Sequence, residues 1–271
     1  MTAPVLAQID ESAASKLMNG LPHALLIHAE AGLDTVRLVE KLATSTPSDL
    51  FYLQPEAEKS QISVQQIRDL IYKLRTYANK RRVVIINPAK LMNEEAQNAL
   101  LKILEEPSSQ LHFILATDNK DSLLDTVLSR CQILNLHRTS RLQDSSILEA
   151  SSLDNQSKQQ ILFLANGRPA LIRQLATDKS LLERYKDMAA CAKKIIQADT
   201  YESLVSAHKF NSDREEALQL VDILLTMIRF QVKSKGPDIR TKSLTERIEI
   251  TEKMLKSNSN IKLSLSQLVV Q

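Results

Sequence analysis

Val83-Val84-Ile85-Ile86, then Asn93–Pro107 (NEEAQNALLKILEEP), then Leu111–Ala116 (LHFILA) form the run from which the fold is read. Four consecutive β-branched residues mark a strand covered on both faces, since such side chains suit a pleated surface and no position in the run is polar. Pro88 ends that strand. Asn93 is placed to cap a helix, with Glu94 and Glu95 in the first turn where the helix dipole favours carboxylates. Ala96, Ala99, Leu100, Ile103 and Leu104 keep helical spacing as far as Pro107, and Leu111–Ala116 reads as a second buried strand. Strand, helix and strand in that order imply a parallel sheet.

The pattern repeats outward. His23–His28 (HALLIH) reads as a buried strand, followed by a turn at Ala31-Gly32 and an amphipathic helix to about Ala43. Ser63–Thr76 predicts a helix with Ile67, Leu70, Ile71 and Leu74 on one face, and Gln132–Leu136 a further strand. Repeated units of this kind imply an α/β domain with helices on both faces of the sheet. After His137 the pattern changes. Short helices are expected at Ser145–Asp154 and Ser157–Asn166, a turn at Gly167-Arg168-Pro169, and a helix at Ala170–Ala176. From Lys179 onward the periodicity is helical throughout. Three domains follow as an expectation: 1–137 α/β, 138–178 small and helical, 179–271 helical.

Composition agrees. Of 271 residues 43% are hydrophobic and 25% charged, which excludes wholesale disorder and fibrous folds. Four glycines, 4% aromatics and no Trp argue for helices and against an all-β sandwich or barrel, which needs frequent turns. Cys131 and Cys191 are far apart, so a disulfide scaffold and a thiolate zinc cage are both excluded and a reducing cytoplasm is expected. Met1–Asn19 lacks the form of a signal peptide, and no stretch approaches ~18 uninterrupted apolar residues. The net charge of +3 does not announce a nucleic-acid binder. Residues 1–178 carry 19 Lys/Arg against 20 Asp/Glu and residues 179–271 carry 16 against 12, a mild basic bias compatible with a polyanion nearby.

A strand, turn and helix near the N-terminus raise the question of a phosphate-binding loop, G-x-x-x-x-G-K-[ST]. Its four determinants correspond to Ala29, Asp34, Thr35 and Val36, so none is present. Asp34 is expected to cap the following helix with its own carboxylate, and Glu30 adds a second negative charge. An ATPase of this build would follow Val83–Ile86 with an Asp for Mg²⁺ and a Glu to orient water; Asn87 and Pro88 stand there instead. The expectation is a nucleotide-hydrolase fold that binds and hydrolyses no nucleotide and holds no metal. His23 and His28 flank a strand and are expected to be structural. Glu105 and Glu106, about 100° apart on a helix, suit packing or an end-of-helix salt bridge better than acid–base work.

Asn98–Pro107 (NALLKILEEP), Phe113–Thr117 (FILAT) and Leu128–Cys131 (LSRC), in this order and spacing, resemble the clamp-loader branch of the AAA+ proteins, and within it the delta-prime family of bacterial DNA polymerase III subunits. Leu21–Leu26 (LPHALL), Ile62-Ser63-Val64 with Ile67-Arg68, and Asn258–Leu268 (NSNIKLSLSQL) extend the resemblance over nearly the whole chain. It implies an AAA+ (P-loop NTPase-like) α/β domain, a lid-like helical domain and a helical collar for assembly with gamma or tau ATPase subunits and a delta subunit. Sliding clamp and primer–template DNA are the implied partners, and no membrane. Arg130 would be an arginine finger reaching into a neighbour's ATP and Mg²⁺ site, with Ser129 and Cys131 shaping the helix end that aims it.

The same resemblance gives further expectations. Thr117 takes the first sensor position, where a strand-end hydroxyl satisfying backbone groups is the expected role. The second sensor falls near Ala170 and is lost, with Arg168 and Arg173 nearby but unassigned. Arg68 and Lys102 match phosphate-contacting positions, each equally readable as a solvated helix charge. Lys80-Arg81-Arg82 reads as edge charges before a hydrophobic strand. The four-cysteine zinc module usual in the family is absent, since Ala43–Leu50 (ATSTPSDL) spans that gap without a Cys. Leu218, Val221, Leu224, Leu225 and Ile228 form an apolar stripe that suits a collar or an ordinary core. Three rivals stay open: an active AAA+ clamp-loader ATPase, a stand-alone DNA-binding or scaffold protein with this fold, and the clamp-opening delta subunit, which usually lacks the Ser-Arg-Cys motif.

Overall fold

A computed structural model describes residues 3–57, 59–74, 80–106, 108–197, 200–257 and 259–269; Thr76, Pro107 and Asn258 of the motifs above lie outside them. The chain divides into two compact units, Met1–Ala150 with Gly167–Arg173, and Ser151–Asn166 with Gln174–Gln271.

The first unit is built on five strands, β1 (Ala24–His28), β2 (Ser48–Leu53), β3 (Arg81–Ile86), β4 (Leu111–Thr117) and β5 (Gln132–Asn135), in the order β2-β3-β4-β1-β5. Every pairing is parallel. Because side chains alternate along a strand, the central strands feed two cores. Ala24, Leu26, Val84, Ile86, Phe113 and Leu115 face one, against Ile67, Leu70 and Leu74 of α3 (Val64–Leu74) and Ala96, Leu100 and Leu104 of α4 (Glu94–Glu105). Leu25, Ile27, Val83, Ile85 and Ile114 face the other, against α1 (Gln8–Asn19) and α2 (Thr35–Ala43). Fully buried side chains such as Leu25, Ile27, Phe113 and Ile114 each stabilise by ~1.5–3 kcal/mol.

The Asn93 cap forms as expected: its side chain accepts the Ala96 N–H at 2.8 Å. Two elements carried no readable signal. The β2 strand is an edge strand of mixed burial, where Ser48 and Asp49 interrupt any apolar alternation. The α1 helix has a weak apolar stripe and no side-chain cap. One helix is displaced: α6 covers Arg141–Leu148, short of Asp154, because Ser140 and Gln143 form a reciprocal capping box that starts it early. A short α5 (Asp125–Leu128) precedes β5.

The second unit is helical, with α7 (Asn155–Ala165), α9 (Lys179–Gln197), α10 (Thr200–His208), α11 (Arg214–Lys235), α12 (Ile239–Lys256) and α13 (Ile261–Gln267). Helix α8 (Pro169–Thr177) begins in the first unit. Val221, Leu224 and Ile228 of the α11 stripe are buried, as are Leu220 and Ile223, while Leu218 and Leu225 are half-buried. Helix α11 packs against α9, α12 and α13 within the unit. Asp238 and Thr241 cap α12, and Phe163 meets Phe230 edge-on at 6.0 Å.

Candidate functional site

The β1 strand lies between β4 and β5, so the loop after it opens at the point where strand order reverses, the usual place for a ligand in a parallel sheet. That loop, Ala29 to Asp34, is bound from inside the protein. Asp34 precedes α2 but makes no side-chain cap; its ψ of 38° departs from the extended conformation a capping residue adopts. The expected capping role therefore fails, and the carboxylate turns to two other partners. Its Oδ2 accepts the Val5 N–H at 2.7 Å and its Oδ1 pairs with Nη1 of Arg173 at 2.6 Å. Only 1% of its side chain is exposed.

The same loop engages the start of α8 through its backbone. The Gly32 carbonyl accepts the N–H groups of Ala170 (2.9 Å) and Leu171 (3.1 Å), which lack partners in their own first turn. Gly32 has φ +90°, and a Cβ there would stand 3.1 Å from Cβ of Leu171 and 3.3 Å from Cβ of Arg168. Glu30, the second negative charge of this loop, is paired with Arg138 at 2.7 Å. Val36 is largely solvent-exposed, and Thr35 is the first residue of α2. Asn87 and Pro88 follow the end of β3. Thr117 does what a strand-end Thr is expected to do: its hydroxyl donates to the Asn119 carbonyl at 2.9 Å and accepts the Asn119 N–H at 3.1 Å.

Ser129, Arg130 and Cys131 form the link between α5 and β5. The Arg130 Nη1 donates to the Thr126 carbonyl at 2.8 Å and to the Ser129 hydroxyl at 3.3 Å, and its Nη2 pairs with Glu105 at the end of α4. The end-of-helix salt bridge expected for the Glu105-Glu106 pair is this one. Ser129 donates in turn to the Thr126 carbonyl at 3.1 Å. Cys131 packs at the margin of the core on the α3–α4 side of the sheet, and burial pushes its thiol up to about 11. A third of the Arg130 side chain remains exposed, so the guanidinium is fixed yet accessible.

Sequence reading missed Gln97, which is 3% exposed and braces this corner. Its Nε2 donates to the carbonyls of Met92 and Ser122, and its Oε1 accepts the Leu124 N–H at 2.7 Å. A buried amide in the middle of an apolar helical face is the only signal it leaves in the sequence. Arg173, unassigned by the sequence, has a partner, Asp34, too distant in the chain for any local pattern to reveal.

Arg68 and Lys102 are exposed on α3 and α4, helices packed side by side, and among the described residues neither shows an ion pair. The expectation of edge charges at Lys80-Arg81-Arg82 holds for Lys80, which is exposed, and fails for Arg82. The β3 strand lies between β2 and β4, and Arg82, 8% exposed, donates to the Leu74 carbonyl and to Ser108. Among the described residues, no group of three or more His, Cys, Asp or Glu side chains is arranged to hold a metal ion, and no helix is long and apolar enough to cross a membrane.

Residues 28–140 match a family described as DNA polymerase III, delta subunit. The chain is 44% identical over 92 residues to DNA polymerase III subunit delta' of Pseudomonas aeruginosa, covering 33% of this chain and 28% of that protein. To the subunit delta' of Haemophilus influenzae it is 32% identical over 200 residues, covering 63% and 61%. The matches thus span less than two thirds of either relative's length. Gamma and tau subunits of DNA polymerase III also match. Among solved structures, the R170A form of Thermotoga maritima RuvB superposes with a TM-score of 0.52 at 16% identity, covering 93% of this chain and 88% of that one. That likeness is one of fold alone.

Proposed function

For a chain related to the delta-prime subunits of the DNA polymerase III clamp loader, we propose a subunit that hydrolyses no ATP of its own and completes a neighbouring subunit's ATP site with Arg130. The ion pair of Asp34 with Arg173 carries this reading. A nucleotide's phosphates would bind at the loop between β1 and α2, where an internal carboxylate already holds the nearby guanidinium. No Lys stands at Thr35 to offset the repulsion, and no acidic pair follows β3 to hold Mg²⁺.

Arg130 acts in trans in this reading. A guanidinium presented from a short, braced helix end stabilises charge on a transferring γ-phosphoryl without any nucleotide bound in its own chain. ATP and Mg²⁺ then belong to the neighbour, a gamma- or tau-type subunit, and this chain has no cofactor of its own. Ser129 and Cys131 hold the α5–β5 link, one by hydrogen bonding and the other by packing. Arg68 and Lys102 face primer–template DNA and contact phosphate without reading sequence. The helical unit serves assembly with the ATPase and delta subunits, the α/β unit faces the sliding clamp, and the complex works in the cytoplasm. The division at 137 and 178 into AAA+-like, lid-like and collar domains is part of the same proposal.

Steady-state ATP hydrolysis with clamp and primed DNA tests it, on this protein alone and combined with its cognate ATPase subunit. The expected result is no turnover alone, stimulation of the partner, and loss of that stimulation in Arg130→Ala with assembly intact. Turnover by the isolated protein overturns the reading of the loop, and an unchanged Arg130→Ala overturns the finger.

A further inference from the structure

The contacts of Arg130 divide between two elements. Thr126 and Ser129 belong to α5 and its end, and both receive Nη1. Glu105 belongs to the last turn of α4 and receives Nη2. Of the five N–H donors of a guanidinium, three are therefore engaged, and the other two have no partner among the described residues in a side chain that is one-third exposed. Two contacts on one nitrogen leave the planar fork free to swing about that nitrogen. A third contact on the other nitrogen, from a separate helix, fixes the plane. The helix supplying it is held in turn: Gln97 ties α4 to the turn that starts α5, so the distance between Glu105 and Arg130 is set by the fold.

We propose that Glu105 is a positioning residue, fixing the plane of the Arg130 guanidinium so that its unengaged N–H groups meet the neighbour's γ-phosphate without a search. This rests on the reading of Arg130 as a trans-acting finger and adds to it a residue that touches neither nucleotide nor metal. A guanidinium ordered before docking costs less to align in the transition state, so the effect falls on turnover rather than on nucleotide affinity. An exposed pair of this kind is worth a modest factor, which sets the scale of the measurement.

The test is stimulated ATP hydrolysis by the assembled loader carrying Glu105→Ala, Glu105→Gln, Arg130→Ala or the double variant Glu105→Ala/Arg130→Ala. Glu105→Ala is expected to lower kcat by about three- to fivefold with KM for ATP unchanged. Glu105→Gln, which keeps an acceptor oxygen, is expected to recover most of the loss. The double variant is expected to match Arg130→Ala alone. Equal turnover in Glu105→Ala and wild type, a rise in turnover, or an additive double variant each overturns the positioning role. An Arg130→Ala loader as active as wild type overturns the finger itself, so the two failures are separable. Size-exclusion chromatography of each loader and thermal melting of each variant subunit identify a mere folding or assembly defect, which would lower active concentration equally in Glu105→Ala and Glu105→Gln and so count against the proposal.

Discussion

Oδ1 of Asp34 lies 2.6 Å from Nη1 of Arg173, although 139 residues separate them in the chain. The carboxylate is almost wholly enclosed, while 22% of the guanidinium side chain reaches solvent. Removing Arg173 therefore leaves a buried carboxylate held by the Val5 N–H. Arg173→Ala is expected to destabilise the first unit by about 3 kcal/mol, the lower end for breaking a buried pair, because the arginine is partly hydrated. Urea unfolding followed by far-ultraviolet circular dichroism measures it. A loss below about 0.5 kcal/mol would show that the pair is not holding the loop.

Gly32 sets a second, independent constraint on that loop. Its φ of +90° lies in the region that favours glycine, and a Cβ would press on the Cβ atoms of Leu171 and Arg168. Both neighbours are close to the backbone of α8 and cannot swing away. Gly32→Ala is expected to cost about 1–3 kcal/mol from backbone conformation and crowding together. Because Gly32 also accepts from Ala170 and Leu171, protection of those two amides against hydrogen exchange should fall in the variant. Unchanged protection would mean that α8 keeps its start without the loop.

The thiol of Cys131 gives a pH-dependent readout of the packing beneath Arg130. Burial raises it from the ordinary thiol range to about 11, so the folded state retains the proton where the unfolded state gives it up. Stability from this group is fully present below pH 9 and is lost as pH rises toward 11. At pH 8 about one thiol in a thousand is ionised, against roughly one in ten for an unperturbed one. Site-resolved iodoacetamide labelling, read by peptide mass spectrometry, should find Cys131 about 100-fold slower in the native protein than in urea. Equal rates would place the thiol in water.

Legibility in the sequence followed the density of local signal. The central strands β1, β3 and β4 were readable because both faces are buried and nothing polar interrupts them. Helix α4 was readable because an Asn cap, two acidic first-turn residues and a regular apolar spacing agree. Strand β2, at the sheet edge, shows one side to solvent and keeps no strict alternation. The absent phosphate loop was visible residue by residue, but its replacement was not. Asp34 was read as a helix cap, whereas its real partner comes from α8, and no periodicity connects positions that only the tertiary fold brings together. Glu105 was visible as an end-of-helix charge, while its partner across the α4–α5 corner appeared only in the folded chain.

Arg68 and Lys102 divide on salt. If each contacts a DNA phosphate, each releases about one counterion on binding, so the slope of log Kd against log salt concentration should flatten by about one in Arg68→Ala and again in Lys102→Ala. The weakening should be the same for unrelated sequences, because a phosphate contact carries no base information. Both side chains are exposed on packed helices, so their removal should change stability by less than ~0.5 kcal/mol, and a loss of binding would not come from unfolding. Fluorescence anisotropy with a labelled primer–template, from 50 to 200 mM salt, resolves a change of this size in the assembled loader. A slope that stays at the wild-type value in both variants would return these residues to the role of solvated helix charges. A change in one alone would assign the contact to that helix.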